Sequence, residues 1–253
     1  MNNQPLISII TVVRNDAEHL SRTMQSIAPF KNARVEYIVV DGASTDDTLL
    51  VAGSRLDMID ILVSEPDKGI YDAMNKGIAL AHGTYLLFLN AGDELLAPPD
   101  NIVSDAPEKS VIVYAKARMF NPDGSFDYIK GKRLKNISRF LQGMPLCHQA
   151  VFYRRELIGE YDLRFKVISD RVKTYNLLRK YGRRRAFFVD SVMVNYYQDG
   201  FCCNGVTDAF LAEEDALFYR SVGKTYYITI KKINYQFKHK IKRPILRLFG
   251  RKF

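Results

Sequence analysis

Between residues 6 and 89 the chain alternates short apolar runs with segments of helical period, and that alternation restricts it to a layered α/β architecture. Leu6 to Val13, Val35 to Val40, Ile59 to Val63 and Thr84 to Leu89 are nearly continuous apolar runs, as expected of strands covered on both faces of a parallel sheet. The first is followed by Leu20, Met24 and Ile27 at helical spacing, opened by Asn15 or Asp16 and stopped by Pro29. Ser44-Thr-Asp-Asp47 reads as a capping box ahead of a short helix with Leu49, Leu50 and Val51. A further helix has Ile70, Met74, Ile78 and Ala81 as its inward stripe, with Gly83 placed to stop it. Strand, helix, strand repeated in this order predicts right-handed βαβ units.

In such a sheet, ligands bind in the crevice beyond the carboxyl ends of the strands. The second strand runs into Asp41-Gly42 and the fourth into Asn90-Ala-Gly-Asp93, so two carboxylates 52 positions apart emerge at one edge, beside the polar loop Glu65 to Gly69. Each acid alone is compatible with an ordinary turn, because Asp-Gly is a common turn pair. Two together at successive strand ends mark the edge as a candidate site.

After Pro98 the pattern loosens. Val111 to Met119 and Phe126 to Ile129 flank Asn121-Pro-Asp-Gly124, which predicts a hairpin, and Gly131 to Gly143 is basic. Cys147 to Tyr153 reads as a strand entered by polar residues. Ser169 is the expected N-cap of a helix with Val172, Tyr175, Leu177 and Leu178 inward, ending near Gly182, and Asp170 lies in its first turn, where the helix dipole favours an anion. Ala186 to Tyr197 is a final strand and Asp199-Gly200 a turn.

The net charge of +9 is local. Lys224 to Phe253 holds ten Lys/Arg and no acid, leaving 27 basic and 28 acidic residues before it, so a nucleic-acid partner is not expected. The tail instead carries Tyr226, Ile230, Ile233, Phe237 and Ile241 at helical spacing among lysines, the pattern of an element that lies on an anionic membrane surface. Met1 to Pro5 has no signal-peptide character, and no run approaches the roughly 18 apolar residues of a spanning helix. Cys147, Cys202 and Cys203 lack zinc-site spacing and cannot all pair, so reduced thiols are expected.

Five segments resemble the family 2 glycosyltransferases, the inverting enzymes of GT-A fold: Ile7 to Asn15, Glu36 to Thr48, Ser64 to Ile78, Phe88 to Asp93, and His148-Gln149 with Ile168-Ser-Asp170. The similarity is greatest to the bacterial exopolysaccharide and O-antigen subgroup, the colanic-acid type among them. It implies a mostly parallel, Rossmann-like central sheet flanked by helices. It also implies that Asp41, with Thr11, Asn15 and Gly42, binds the nucleotide, and that Asp170 is the base that deprotonates the acceptor hydroxyl. Asp93 matches the last acid of the family's metal motif, which holds Mn²⁺ or Mg²⁺ on the donor's diphosphate. Asn90, Ala91 and Gly92 stand where that motif often has further acids. Lys68, Asp72 and Lys76 fall beside the expected diphosphate site, and His148 and Gln149 on the acceptor side.

The resulting expectation is a GT-A domain over 1–220, with a nucleotide-sugar half at 1–97 and an acceptor half at 98–220, followed by a membrane-associating tail at 221–253. The enzyme would move one sugar from a nucleotide-diphosphate sugar, a UDP-sugar being the first choice, to a lipid-linked saccharide acceptor at the inner face of the bacterial cytoplasmic membrane. The absence of Trp, and so of a Gln-x-x-Arg-Trp motif, sets it apart from processive synthases. The rivals are a sugar nucleotidyltransferase, which needs a glycine-rich first loop that Val12 to Asp16 lacks, and a non-catalytic subunit of a glycan assembly complex.

Overall fold

The computed structural model describes residues 4–198 and 206–236. The chain divides into two compact units, Met1–Asn204 and Gly205–Phe253.

The first unit opens with β1 (Ile7–Val13), α1 (Ala17–Ile27), β2 (Val35–Asp41), α2 (Thr48–Gly53), β3 (Ile61–Ser64), α3 (Ile70–Leu80) and β4 (Tyr85–Phe88). These strands run parallel in the order β3-β2-β1-β4. Every residue of β1 and β2 is buried, which is why both read as unbroken apolar runs. Each fully buried aliphatic or aromatic side chain here, Ile9, Ile38 or Leu87 for example, contributes on the order of 1.5–3 kcal/mol.

The second half adds β5 (Glu94–Leu95), α4 (Pro99–Ser104), β6 (Ile112–Phe120), β7 (Phe126–Lys130), β8 (Val151–Arg154), α5 (Arg155–Ile158), α6 (Ser169–Tyr181) and β9 (Ala186–Tyr197). The whole sheet has the order β3-β2-β1-β4-β8-β6-β9-β5, with β7 pairing β6 as the expected hairpin. β8 inserts antiparallel between β4 and β6, so the segment carrying His148 and Gln149 arrives next to the end of β4.

Several local expectations are corrected. On α3 the buried residues are Tyr71, Ala73, Met74 and Gly77; of the expected stripe Met74 and Ala81 are buried, Ala81 just past the helix end, while Ile70 and Ile78 are only half-buried. The face is set by Gly77: a Cβ there would press on Ile10 Cγ2, so the bare glycine lets the helix rest on β1. The helix ends at Leu80, with Ala81 already extended. Gly83 therefore does not stop it; a Cβ at Gly83 would overlap the Ser8 amide nitrogen, and the residue is needed for close passage beside β1. The capping box does not form either. Thr48 N donates to Asp46 Oδ1 (3.0 Å), and Leu49 and Leu50 are exposed. Ser169 is the first residue of α6, not its cap, and donates to the Asp162 carbonyl (3.0 Å). His148–Ala150 form a short 3₁₀ turn ahead of β8.

In the second unit are α7 (Asp208–Ser221) and α8 (Tyr226–Gln236). Thr207 caps α7 through its hydroxyl oxygen, which accepts from Phe210 N (3.2 Å), and Lys231 pairs with Asp215 (2.9 Å). Tyr226 and Ile230 of the expected tail stripe are exposed. The remainder of that stripe, Cys202, Cys203 and the Asp199-Gly200 turn lie outside the residues whose side chains are described. No helix among the described residues is long and apolar enough to cross a membrane.

Candidate functional site

The register of β1, β2 and β3 sets Asp41 between Val13 and Ser64 at the carboxyl edge. Its carboxylate is fully buried and accepts from Ser44 N (3.0 Å), Ser64 Oγ (2.6 Å) and the Ser44 hydroxyl. Gly42 N donates to Val13 O (2.9 Å). Asn15 N donates to Ser44 Oγ (2.7 Å), while Asn15 Oδ1 accepts from Thr45 N (2.8 Å). The loops after β1 and β2 are thus stitched together. Asn15 and Ala43 hold positive φ values of 51° and 56°, a conformation that costs non-glycine residues on the order of 1–3 kcal/mol and that gathers at ligand clamps. Thr11 does not share this edge. It is buried inside β1, and its hydroxyl donates to Leu89 O (2.7 Å) and accepts from Tyr37 (3.2 Å), so it supports the sheet beneath the site instead of lining a pocket.

The charges of the next loop brace it. Asp72 Oδ2 accepts from Lys68 N (2.9 Å), and Lys76 Nζ reaches Pro66 O (2.7 Å) and Glu65 (2.9 Å). Lys76 is therefore committed to the loop, whereas the Lys68 side chain remains exposed.

Beyond β4, helix α1 shapes the turn Asn90 to Asp93. Gly92 N donates to Thr23 Oγ1 (3.0 Å) and Thr23 Oγ1 donates to Asp93 O (2.8 Å), with Ala91 packed against the core. Asp93 is buried, and its Oδ1 accepts from Tyr197 N (3.1 Å) at the end of β9. Asn90 Oδ1 is buried with no hydrogen-bond partner. A buried acceptor left in that state costs about 1–3 kcal/mol, so a polar ligand atom or water reaching it would be stabilising. Among the described residues no three His, Cys, Asp or Glu side chains converge on one point. Asn90 and Asp93 supply hard oxygens, the donor type suited to a small divalent ion that takes its remaining ligands from a diphosphate and water, and of the two Asn90 lines the cavity described next. They do not fit a soft-metal site, since burial pushes the nearby Cys147 thiol up to about 12 and keeps it protonated.

Asn90, His148, Gln149 and Asp170 line one cavity of about 290 Å³, joined by Tyr71 and Met74 of α3. The parts come from four places in the fold, and the antiparallel entry of β8 brings them together. His148 is stacked on Phe88 (5.4 Å, 15°), with Nε2 2.8 Å from the Tyr161 hydroxyl. Burial holds its pKa below the usual 6.5, although the Asp170 charge works the other way, so His148 is a neutral imidazole at pH 7. Gln149 Oε1 accepts from Cys147 Sγ (3.3 Å). Asp170 is half-buried, with Oδ1 3.1 Å from the Tyr71 hydroxyl.

Tyr71 and Tyr161 were not singled out by the sequence. Tyr71 stood within the Ser64 to Ile78 segment, but the expected apolar stripe of α3 took Ile70 in its place. Tyr161 sits in an irregular loop, where it meets α3 through Asn75: Tyr161 N donates to Asn75 Oδ1 (2.7 Å) and Asn75 Nδ2 to Tyr161 O (3.0 Å). Nothing in local periodicity encodes that pairing.

The sheet is of GT-A-like α/β form, and the loops after β1 and β2 and the cavity holding Asp170 lie along its carboxyl edge. The chain belongs to glycosyl transferase family 2, whose sequence profile matches residues 8–181. It is 39% identical over 185 residues to a PGL/p-HBAD biosynthesis glycosyltransferase of Mycobacterium bovis, covering 66% of this chain and 67% of the relative. To an uncharacterized glycosyltransferase of Mycobacterium tuberculosis it is 34% identical over 183 residues, covering 67% and 68%. Among solved structures, S. aureus TarS in complex with UDP-GlcNAc superimposes with a TM-score of 0.64 over 92% of this chain and 73% of TarS, at 16% identity. Glucosyl-3-phosphoglycerate synthase from Mycobacterium tuberculosis, in complex with Mn²⁺, UDP and glucosyl-3-phosphoglycerate, does so with a TM-score of 0.54 over 87% and 78%, at 17% identity. The expected exopolysaccharide, colanic-acid-type subgroup is corrected by the relatives at 39% identity, which carry PGL/p-HBAD names.

Proposed function

We propose that this glycosyltransferase is an inverting, single-addition enzyme in which Asp170 is the catalytic base. The observation that carries the reading is the shared cavity: the carboxylate of Asp170 and the unpartnered Asn90 Oδ1 beside Asp93 line one space at the carboxyl edge of the sheet. Asp170 takes the proton from the acceptor hydroxyl, and that oxygen attacks the anomeric carbon from the face opposite the leaving nucleoside diphosphate. Bound at Asn90 and Asp93, Mn²⁺ or Mg²⁺ would neutralise charge on the departing diphosphate. Asp41, Asn15 and Gly42 hold the nucleotide, and the loop braced by Lys68, Asp72 and Lys76 closes the donor side. His148 and Gln149 face the acceptor as neutral groups.

Residues 1–97 act as the donor half and 98–220 as the acceptor half, with 221–253 resting on an anionic membrane surface at the cytoplasmic face. The acceptor is a lipid-linked saccharide or glycolipid, a reading that the PGL/p-HBAD names of the relatives support. UDP is the nucleotide to test first, because TarS holds UDP-GlcNAc in the same fold. Nucleotide-sugars screened by thermal shift with and without Mn²⁺ should give one UDP-sugar whose stabilisation grows with the metal, by the mass action of a ligand that binds only the folded state. No stabilisation by any nucleotide or nucleotide-sugar would sink the donor assignment.

A further inference from the structure

The base needs a fixed direction and a partner that tolerates its change of charge, and α3 supplies a group placed for both. Tyr71 lies in the first turn of α3, buried to 6% exposure, and its ring packs 5.3 Å from that of Tyr161. Its hydroxyl oxygen stands 2.7 Å from Val167 O and 3.1 Å from Asp170 Oδ1. One phenolic hydrogen therefore has two acceptors, a backbone carbonyl just ahead of α6 and the carboxylate in that helix's first turn. A phenol also accepts as well as donates.

We propose that Tyr71 is the positioning residue of the base, its hydroxyl serving Asp170 in both protonation states. While Asp170 is ionised, Tyr71 donates to Oδ1 and aims the carboxylate into the cavity. During transfer the acceptor O–H bond breaks and an Asp170 O–H bond forms. The acceptor oxygen's pair makes the new bond to the anomeric carbon, and the pair of the broken anomeric C–O bond leaves with the nucleoside diphosphate. The Tyr71 hydrogen then turns to the Val167 carbonyl, and the Tyr71 oxygen accepts from the newly protonated acid. In both states the Tyr71 hydroxyl and the Asp170 carboxyl keep each other as partners, which keeps the rearrangement small.

The other titratable groups around the carboxylate do not substitute for it. His148, from the turn ahead of β8, is held neutral by burial, and burial raises the Tyr153 and Tyr161 hydroxyls far above their usual range. Tyr153 is 2.7 Å from Thr174 Oγ1, and Tyr161 is engaged with His148. Lys130 of β7 and Arg171 of α6 supply the cavity's cations.

This inference rests on the catalytic assignment of Asp170, and its test separates the two. Turnover is measured in full-length protein as release of UDP from the UDP-sugar selected by the thermal-shift screen. Tyr71→Phe, which removes only the hydroxyl, should lower kcat about tenfold with KM for the donor unchanged. Asn75→Ala loosens the same segment without touching the carboxylate, and should lower thermal stability while leaving kcat close to that of the wild type. An unchanged kcat in folded Tyr71→Phe would overturn the proposal, as would an equal loss in Asn75→Ala. Full turnover in Asp170→Asn would instead overturn the catalytic assignment, whatever Tyr71→Phe shows.

Discussion

Strand β2 buries a carboxylate near each end, and the two are held in nearly the same way. At its amino end Glu36 accepts from the Ser8 hydroxyl, His82 N (2.9 Å) and His82 Nδ1 (2.7 Å). At its carboxyl end Asp41 accepts from two serine hydroxyls and an amide. Burial and partner count do not tell a structural acid from a ligand-binding one. Position does. Asp41 opens onto the edge where βα loops meet, beside backbone held at positive φ, whereas Glu36 ties β1 and β2 to the chain entering β4, where Gly83 N donates to Ser8 Oγ (2.8 Å). Substitutions at the carboxyl edge should therefore alter donor binding or turnover, and those at the amino edge stability alone.

The largest effect belongs to Asp170. Asp170→Asn should lower kcat by about 10²–10⁴-fold, the range for loss of a general base, while the melting temperature stays within a degree or two. A folded variant with near-normal turnover would remove Asp170 from the chemistry. Asp41→Asn comes next. Losing a charged acceptor of hydrogen bonds is worth about 1.5–3 kcal/mol, so KM for the donor should rise about tenfold or more with kcat little altered. Equal donor KM values in Asp41→Asn and Glu36→Gln would erase the distinction between the two ends of the strand.

Most of the first sheet half was legible in the sequence because β1, β2 and β4 are covered on both faces, and short continuous apolar runs between helical segments fit little besides buried parallel strands. The boundaries of β9 and the buried set Val172, Tyr175, Leu177 and Leu178 of α6 were likewise recovered from periodicity. What escaped depends on contacts distant in sequence. The face of α3 is decided by Gly77 against Ile10, and the need for Gly83 by its passage beside Ser8, which no helix-ending signal distinguishes from a cap. The insertion of β8 antiparallel to β4, which completes the cavity, has no local signature either. Asn90 and Asp170, which line the cavity, stood out in the sequence as an amide and an acid at element ends. Thr11 was read as lining the pocket because a hydroxyl inside an apolar strand reads the same whether it faces a ligand or, as here, the Leu89 carbonyl just past β4. Tyr71 was missed because a tyrosine in a helical turn looks like core.

The smallest expected effect tests the amino end. Burial alone would raise the Glu36 pKa, but the His82 amide, the Ser8 hydroxyl and the His82 ring outweigh it and hold the carboxyl below its usual 4.5. A folded pKa below the unfolded one means that the ionised form is bound more tightly by the native state. The resulting stability is fully present above the unfolded pKa and is lost as pH falls through the folded one. Glu36→Gln should cost about 1–3 kcal/mol at pH 7, the range for breaking hydrogen bonds to a buried charge, and leave turnover unchanged. That corresponds to a melting point lower by a few degrees in a protein of this size. Urea midpoints compared at about pH 6 and about pH 4 should fall more steeply with acid in the wild type than in Glu36→Gln, because only the wild type has this carboxylate to protonate. Parallel declines would show that Ser8 and His82 hold the sheet edge without help from the charge.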